Sequence, residues 1–252
     1  MNYSIKPLDS QVSSKNNLIP NIPFSLLISA SKGSGKTTLL LNLLNIYSGM
    51  FDRVIIFSPT VLLDDKWMNF INSKKILKVK KKNNSHNLLN FELPENQYIH
   101  EIYTEYDNEI IIKLRKNQEE NHTKKNVLVI MEDSLGLEGV YKQNSKVLKY
   151  LPNSRHLRTS FIFVTQNYKS IPRLIRNNNS GFILFETPNR MELDIIYQEN
   201  PCFLDKEEWY KLYYYVMNIP YQFMFFNYQN NREYQVIKNF DRFLKIKNVE
   251  EI

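Results

Sequence analysis

Short unbroken apolar runs recur along the chain, most of them closed by glycine, proline or an acid, and amphipathic stretches lie between them. The run Phe24 to Ala30 is too short for a helix and stops at a glycine-rich loop, which predicts a buried parallel strand. Thr37 to Tyr47 follows with Leu39, Leu40, Leu43 and Leu44 at helical spacing and Gly49 at the expected stop. Arg53 to Ser58 then reads as a second strand, closed by Pro59. Strand, glycine loop, helix, strand is the grammar of a βαβ unit. Further along, Asn126 to Met131, Ser160 to Thr165 and Gly181 to Phe185 predict three more buried strands. Asp64 to Lys74, Asn108 to Glu120 and Asp205 to Val216 suit helices, and Tyr221 to Phe226 a late strand. The lysine-rich Lys74 to Asn84 stretch reads as an exposed turn or edge. No internal repeat is visible.

At 252 residues with 42% hydrophobic content, the chain can bury one α/β core but hardly two. We read a flexible arm over 1–20, a core over 21–190 and an extension over 191–252 packed on that core as part of the same domain. The net charge of +7 favours polyanionic partners, although an AT-rich coding bias toward lysine would produce the same excess. Cys202, the single cysteine, excludes an internal disulfide and fits a reducing compartment. Met1 to Leu18 lacks an apolar segment, and no apolar run approaches the ~20 residues of a membrane span. The expectation is a soluble protein that is not secreted and has no membrane span.

The strongest chemical signal is Ala30-Ser31-Lys32-Gly33-Ser34-Gly35-Lys36-Thr37, a Walker A loop with alanine in place of the first glycine, set between a predicted strand and helix. Gly33 and Gly35 allow a tight turn that brings backbone N–H groups onto phosphate oxygens, and the helix beginning near Lys36 aims its positive end at the same charge. Lys36 is expected on the β- and γ-phosphates, the Thr37 hydroxyl on Mg2+, and Thr38 at the edge of the cradle.

The strand ending at Met131 runs into Glu132 and Asp133, delivering two carboxylates to the edge of the sheet where ligands of open α/β folds bind. This has the character of Walker B with the acids in reversed order. We assign Glu132 to the magnesium shell and Asp133 to water activation, with exchanged roles as the alternative, since neighbours on a strand face opposite sides. Asp133-Ser134-Leu135-Gly136 also reads as the Asp-x-x-Gly of GTPases, but no Asn-Lys-x-Asp follows, so ATP is the expected nucleotide. The strand Ser160 to Thr165 ends in Gln166, a neutral amide able to orient water or sense the γ-phosphate.

Taken with the phosphate loop and the Arg53 to Thr60 segment ending in Ser-Pro, the segments Arg155-His156, Ser160 to Gln166, Tyr168 to Pro172 and Ile175-Arg176-Asn177 resemble the poxvirus-type genome-packaging ATPases of the FtsK–HerA branch, which also occur in giant viruses, virophages and polintons. The resemblance covers roughly 24–186. It implies an α/β P-loop NTPase fold of the RecA-like, additional-strand type, with a mainly parallel central sheet flanked by helices. It implies Mg-ATP hydrolysis coupled to sequence-nonspecific translocation of double-stranded DNA into a preformed capsid, in the host cytoplasm, the viral factory or the virion. A homo-oligomeric ring and capsid proteins are the implied partners. In such rings an arginine completes a neighbour's site; Arg155 and Arg176 are our candidates, with Arg158 a third, the alternative being a contact to DNA or a carboxylate for Arg155 and a helix cap for Arg176.

Lys74, Lys75, Lys78, Lys80, Lys81 and Lys82 could track phosphates from a pore, though a solvated turn accounts for them as well. Lys169 and Arg173 are alternative contacts. Trp209, Tyr210, Tyr213, Tyr214 and Tyr215 read as packing or interface rather than base stacking. Rival functions are a helicase or segregation motor of the same branch, a P-loop kinase or nucleotide switch, and a non-catalytic capsid or scaffold protein.

Overall fold

The computed structural model describes residues 3–7, 18–74, 78–80, 99–120, 125–133, 136–142 and 144–248. Its strands are β1 (Tyr3–Pro7), β2 (Ser25–Ser29), β3 (Arg53–Phe57), β4 (Lys78–Lys80), β5 (Ile99–Tyr103), β6 (Val127–Met131), β7 (Thr159–Thr165), β8 (Gly181–Phe185), β9 (Phe223–Asn227), β10 (Val236–Lys238) and β11 (Arg242–Asn248). The helices are α1 (Lys36–Ile46), α2 (Asp65–Lys74), α3 (Asn108–Glu120), α4 (Lys146–Tyr150), α5 (Arg173–Asn177), α6 (Arg190–Glu199) and α7 (Lys206–Met217).

All eleven strands join one sheet in the order β1-β11-β10-β9-β8-β2-β7-β6-β3-β5-β4. From β8 to β4 every pairing is parallel, and from β8 back to β1 every pairing is antiparallel. The chain is thus an α/β protein with a mainly parallel centre, and the continuous apolar runs of β2, β6, β7 and β8 are buried at every position, as strands covered on both faces must be. β7 stands between β2 and β6, so it is the additional strand separating the phosphate loop from the acidic strand end.

Alternation along the strands sorts the core into two layers. Val127, Val129, Met131, Phe161 and Phe163 face one layer with Ile111 and Leu114 of α3, Ile196 of α6 and Trp209 of α7. Leu128, Ile130, Ile162 and Val164 face the other with Leu39, Leu40 and Leu43 of α1 and Trp67 of α2. Trp209 stacks on Tyr213 and Phe226 at centroid distances of 5.7 and 6.0 Å, which is packing, one of the two roles expected of it.

Three features depart from the sequence reading. Tyr3–Pro7, inside the segment expected to be an arm, pairs antiparallel with β11 at the sheet edge, where proline's missing N–H is tolerated. Lys78–Lys80, in the lysine-rich stretch expected to be a turn or an edge, forms the edge strand β4 beside β5 rather than a turn; Lys75, Lys81 and Lys82 lie outside the described residues. β5 itself is a polar strand that the hydrophobic pattern did not announce. Glu101 on β5 accepts from Arg53 Nε and Nη2 of β3 at 3.2 and 2.9 Å, and Tyr103 Oη donates to the same carboxylate at 2.6 Å.

Candidate functional site

The carboxyl ends of β2, β7, β6 and β3 converge on one edge of the sheet. β2 leads into the loop 31–35, anchored by the Ala30 N–H donating to the Thr165 carbonyl of β7 at 3.1 Å. Gly33 and Gly35 take φ of +80° and +101°, a left-handed region that side chains resist. Ala30 is buried and has an ordinary negative φ, so its methyl costs the turn nothing. The loop closes on itself through the Ser31 carbonyl, which accepts from Ser34 Oγ at 2.6 Å and Lys36 Nζ at 3.3 Å. Gly35 caps α1 with no side-chain hydrogen bond, and the first turn holds no acid. The amides and positive pole of that helix end are therefore left for an external anion. Burial lowers the pKa of Lys36, opposed by the charges of Asp133 and Glu132.

β6 decides which way the two acids face. Leu128 and Ile130 point to the α1 layer, and Glu132 continues that alternation, buried with its Oε1 3.5 Å from Thr37 Oγ1. Trp67 Nε1 of α2 donates to Glu132 Oε2 at 2.6 Å. Burial pushes the Glu132 carboxyl up to about 7, against the hydrogen bonds from Ser58 and Trp67 and with the charges of Asp133 and Asp64. Asp133 leaves the strand with φ of +44° and stands at the mouth. Its Oδ1 accepts from Gln166 Nε2 at 3.2 Å and its Oδ2 from Thr60 Oγ1 at 3.3 Å.

The model of the poxvirus A32 protein family matches residues 11–212. The chain belongs to the poxvirus A32 protein family. The DNA packaging protein OPG160 of vaccinia virus (strain Copenhagen) is 28% identical over 184 residues, covering 68% of this chain and 56% of that protein. The monkeypox virus protein of the same name is 28% identical over 184 residues, 68% of this chain and 50% of its own length. The chain thus spans about half the length of the curated relatives it matches. The genome packaging NTPase B204 of Sulfolobus turreted icosahedral virus 2, solved with ATP-gammaS, superposes with a TM-score of 0.53 at 14% identity, over 91% of this chain and 98% of that one. The DNA-packaging ATPase B204 of Sulfolobus turreted icosahedral virus gives 0.53 at 16% identity, over 90% and 98%. Both likenesses establish a shared fold.

Within this A32-family chain, the edge gathers Lys36, Thr37, Glu132, Asp133 and Gln166, but neither candidate arginine. Arg155 is exposed before the amino end of β7, at the sheet edge opposite the loop. Arg176 is bound inside its own chain: Nε donates to the Ile171 carbonyl at 3.0 Å, the guanidinium pairs with Glu199, and it lies 5.1 Å over the Tyr168 ring. Its side chain is only 13% exposed.

Two residues of the site went unnoticed in the sequence. Asp64 Oδ1 accepts from the Lys66 N–H at the start of α2, while its Oδ2 accepts from Thr37 Oγ1 at 3.1 Å. A residue read as the beginning of a helix therefore also reaches the phosphate loop. Trp67 looked like any buried helix residue, and only its indole N–H distinguishes it.

Proposed function

We propose that the chain is an ATPase that drives double-stranded DNA into a viral capsid, with ATP hydrolysis as the energy source. The observation that carries this reading is the uncapped positive end of α1 lying beside a carboxylate pair on one sheet edge, with Gln166 bridging to the outer acid. The packaging role is supported by the family membership and by the names of the relatives.

In this reading the first-turn amides of α1 and Lys36 hold the β- and γ-phosphates, Ser31 to Thr38 form the cradle, and charge developing on the phosphoryl oxygens is met by fixed donors. The hard oxygen donors Thr37 Oγ1, Glu132 and Asp64 suit Mg2+, which takes few protein ligands and completes its shell with phosphate and water. When bound, the cation would neutralise phosphate charge and bring Glu132 to its carboxylate form. Asp133, held by Gln166 and Thr60, orients and deprotonates the attacking water. A homo-oligomeric ring, capsid protein partners and a site of action in the viral factory of the host cytoplasm complete the proposal. An arginine supplied in trans would be Arg155 rather than Arg176, because Arg155 is exposed.

The test is ATPase rate against duplex DNA at several salt concentrations, together with particle mass. DNA-stimulated hydrolysis that disappears in Lys36→Ala is the expected result; hydrolysis indifferent to duplex DNA at every salt concentration overturns the translocase assignment.

A further inference from the structure

The phosphate loop has two flanks. The carboxylates of β6 and the Gln166 amide stand on its β7 side, so the terminal phosphate of a bound nucleotide must lie there. The nucleoside end must then fall toward β8 and β9. On that flank a cavity of about 420 Å3 opens against Ser31 to Ser34, walled by Pro188 after β8 and by Pro220, Tyr221 and Gln222 in the turn from α7 to β9. Its volume is in the ~300–1,000 Å3 range of small-ligand sites.

Two residues in that turn are unusual. Tyr221 is 73% exposed, with a left-handed φ of +65°. Its ring lies against the loop, with Cδ1 3.6 Å from where a Gly35 side chain would begin. Gln222 carries the one buried side-chain polar atom without a hydrogen-bond partner among the described residues, its Oε1. A buried acceptor left unpaired is costly, and such groups persist where a ligand satisfies them.

We infer that this turn is the nucleobase reader of the site: Tyr221 supplies a stacking face, and Gln222 Oε1 accepts from the exocyclic amine of adenine. Guanine presents a carbonyl at the same ring position, which the Gln222 amide meets only by turning over to offer Nε2 in place of Oε1. The inference rests on the nucleotide-hydrolase reading above and adds to it the residues that choose the base.

Calorimetric titration of the full chain with Mg-ATP, Mg-GTP and inorganic tripolyphosphate tests it. Wild type is expected to prefer ATP over GTP by about tenfold, the worth of one hydrogen bond. Gln222→Met, close in size, is expected to abolish that preference, leave tripolyphosphate affinity unchanged and raise the melting temperature of the free protein by removing the orphaned acceptor. Tyr221→Ala is expected to weaken ATP and GTP alike and leave tripolyphosphate unchanged, because stacking does not distinguish the purines. Should Gln222→Met melt early, Gln222→Leu supplies the same comparison. A preference that survives both Gln222 substitutions, a wild-type preference for GTP, or equal losses for tripolyphosphate and nucleotides each overturns the inference while leaving the phosphate cradle standing. Wild type that binds neither tripolyphosphate nor nucleotide overturns the hydrolase reading itself.

Discussion

Replacing Glu132 by Gln should stabilise the free protein, by an amount that grows as pH rises from about 4.5 to about 7. The carboxyl is 3% exposed, and burial lifts its pKa from 4.5 to about 7. A group whose folded pKa is raised contributes its full stability below the unfolded value and loses it as pH climbs through the folded value. The window here is therefore pH 4.5 to about 7. The loss across it amounts to about 3 kcal/mol. A glutamine amide oxygen still accepts the Trp67 N–H but carries no charge to desolvate. At roughly 2–4 °C per kcal/mol for a chain of this size, Glu132→Gln should melt several degrees above wild type at pH 8. The gap should close toward pH 5. Thermal scans of both proteins across that range, without nucleotide or magnesium, measure it, and taking the difference cancels the other titrating groups. A gap of the same size at both pH values would refute the assignment of the buried charge to Glu132, as would a glutamine variant less stable at pH 8.

Three further outcomes are expected. Trp67→Phe removes the N–H that holds the Glu132 carboxyl down, so the acidic limb of the ATPase pH profile should move to higher pH; an unmoved limb contradicts the positioning role. Asp64→Asn should raise the magnesium concentration required for half-maximal hydrolysis several-fold, because Asp64 reaches the Thr37 hydroxyl; a superimposable magnesium titration argues that Asp64 only starts α2. Arg176→Ala should cost about 1–3 kcal/mol in denaturant unfolding by removing the pairing with Glu199 and the donor to the Ile171 carbonyl; an unchanged midpoint with hydrolysis lost would return Arg176 to a role between subunits.

The centre of the fold was legible because its strands announce themselves. β2, β6, β7 and β8 are buried on both faces, so each is a continuous apolar run, and Gly33 and Gly35 supply the left-handed turns of the phosphate loop. β5 stayed hidden because Arg53 satisfies Glu101 from the neighbouring strand, allowing a polar residue where the pattern demands an apolar one. β1 and β11 stayed hidden because an edge pairing links residues more than 200 positions apart, which local periodicity does not encode. The site divides along the same line. Lys36, Thr37, Glu132 and Gln166 follow from strand ends. Asp64 and Trp67 depend on how α2 docks, and the Arg176 partner Glu199 sits on another helix. Alternation along β6 held more than was first drawn from it, since it already places Glu132 on the side of α1.

β7 leads into Gln166, and the chain beyond it is braced at nearly every residue. Asn167 fastens the Ser170 amide, the Glu192 carboxylate seizes the Tyr168 amide, and the Tyr168 hydroxyl meets Glu199. These bonds bind the segment after Gln166 to α6 as one body. Under the proposed hydrolase reading, a displacement of the Gln166 amide would have to carry α6 with it, because Tyr168 is held to both Glu192 and Glu199 of that helix.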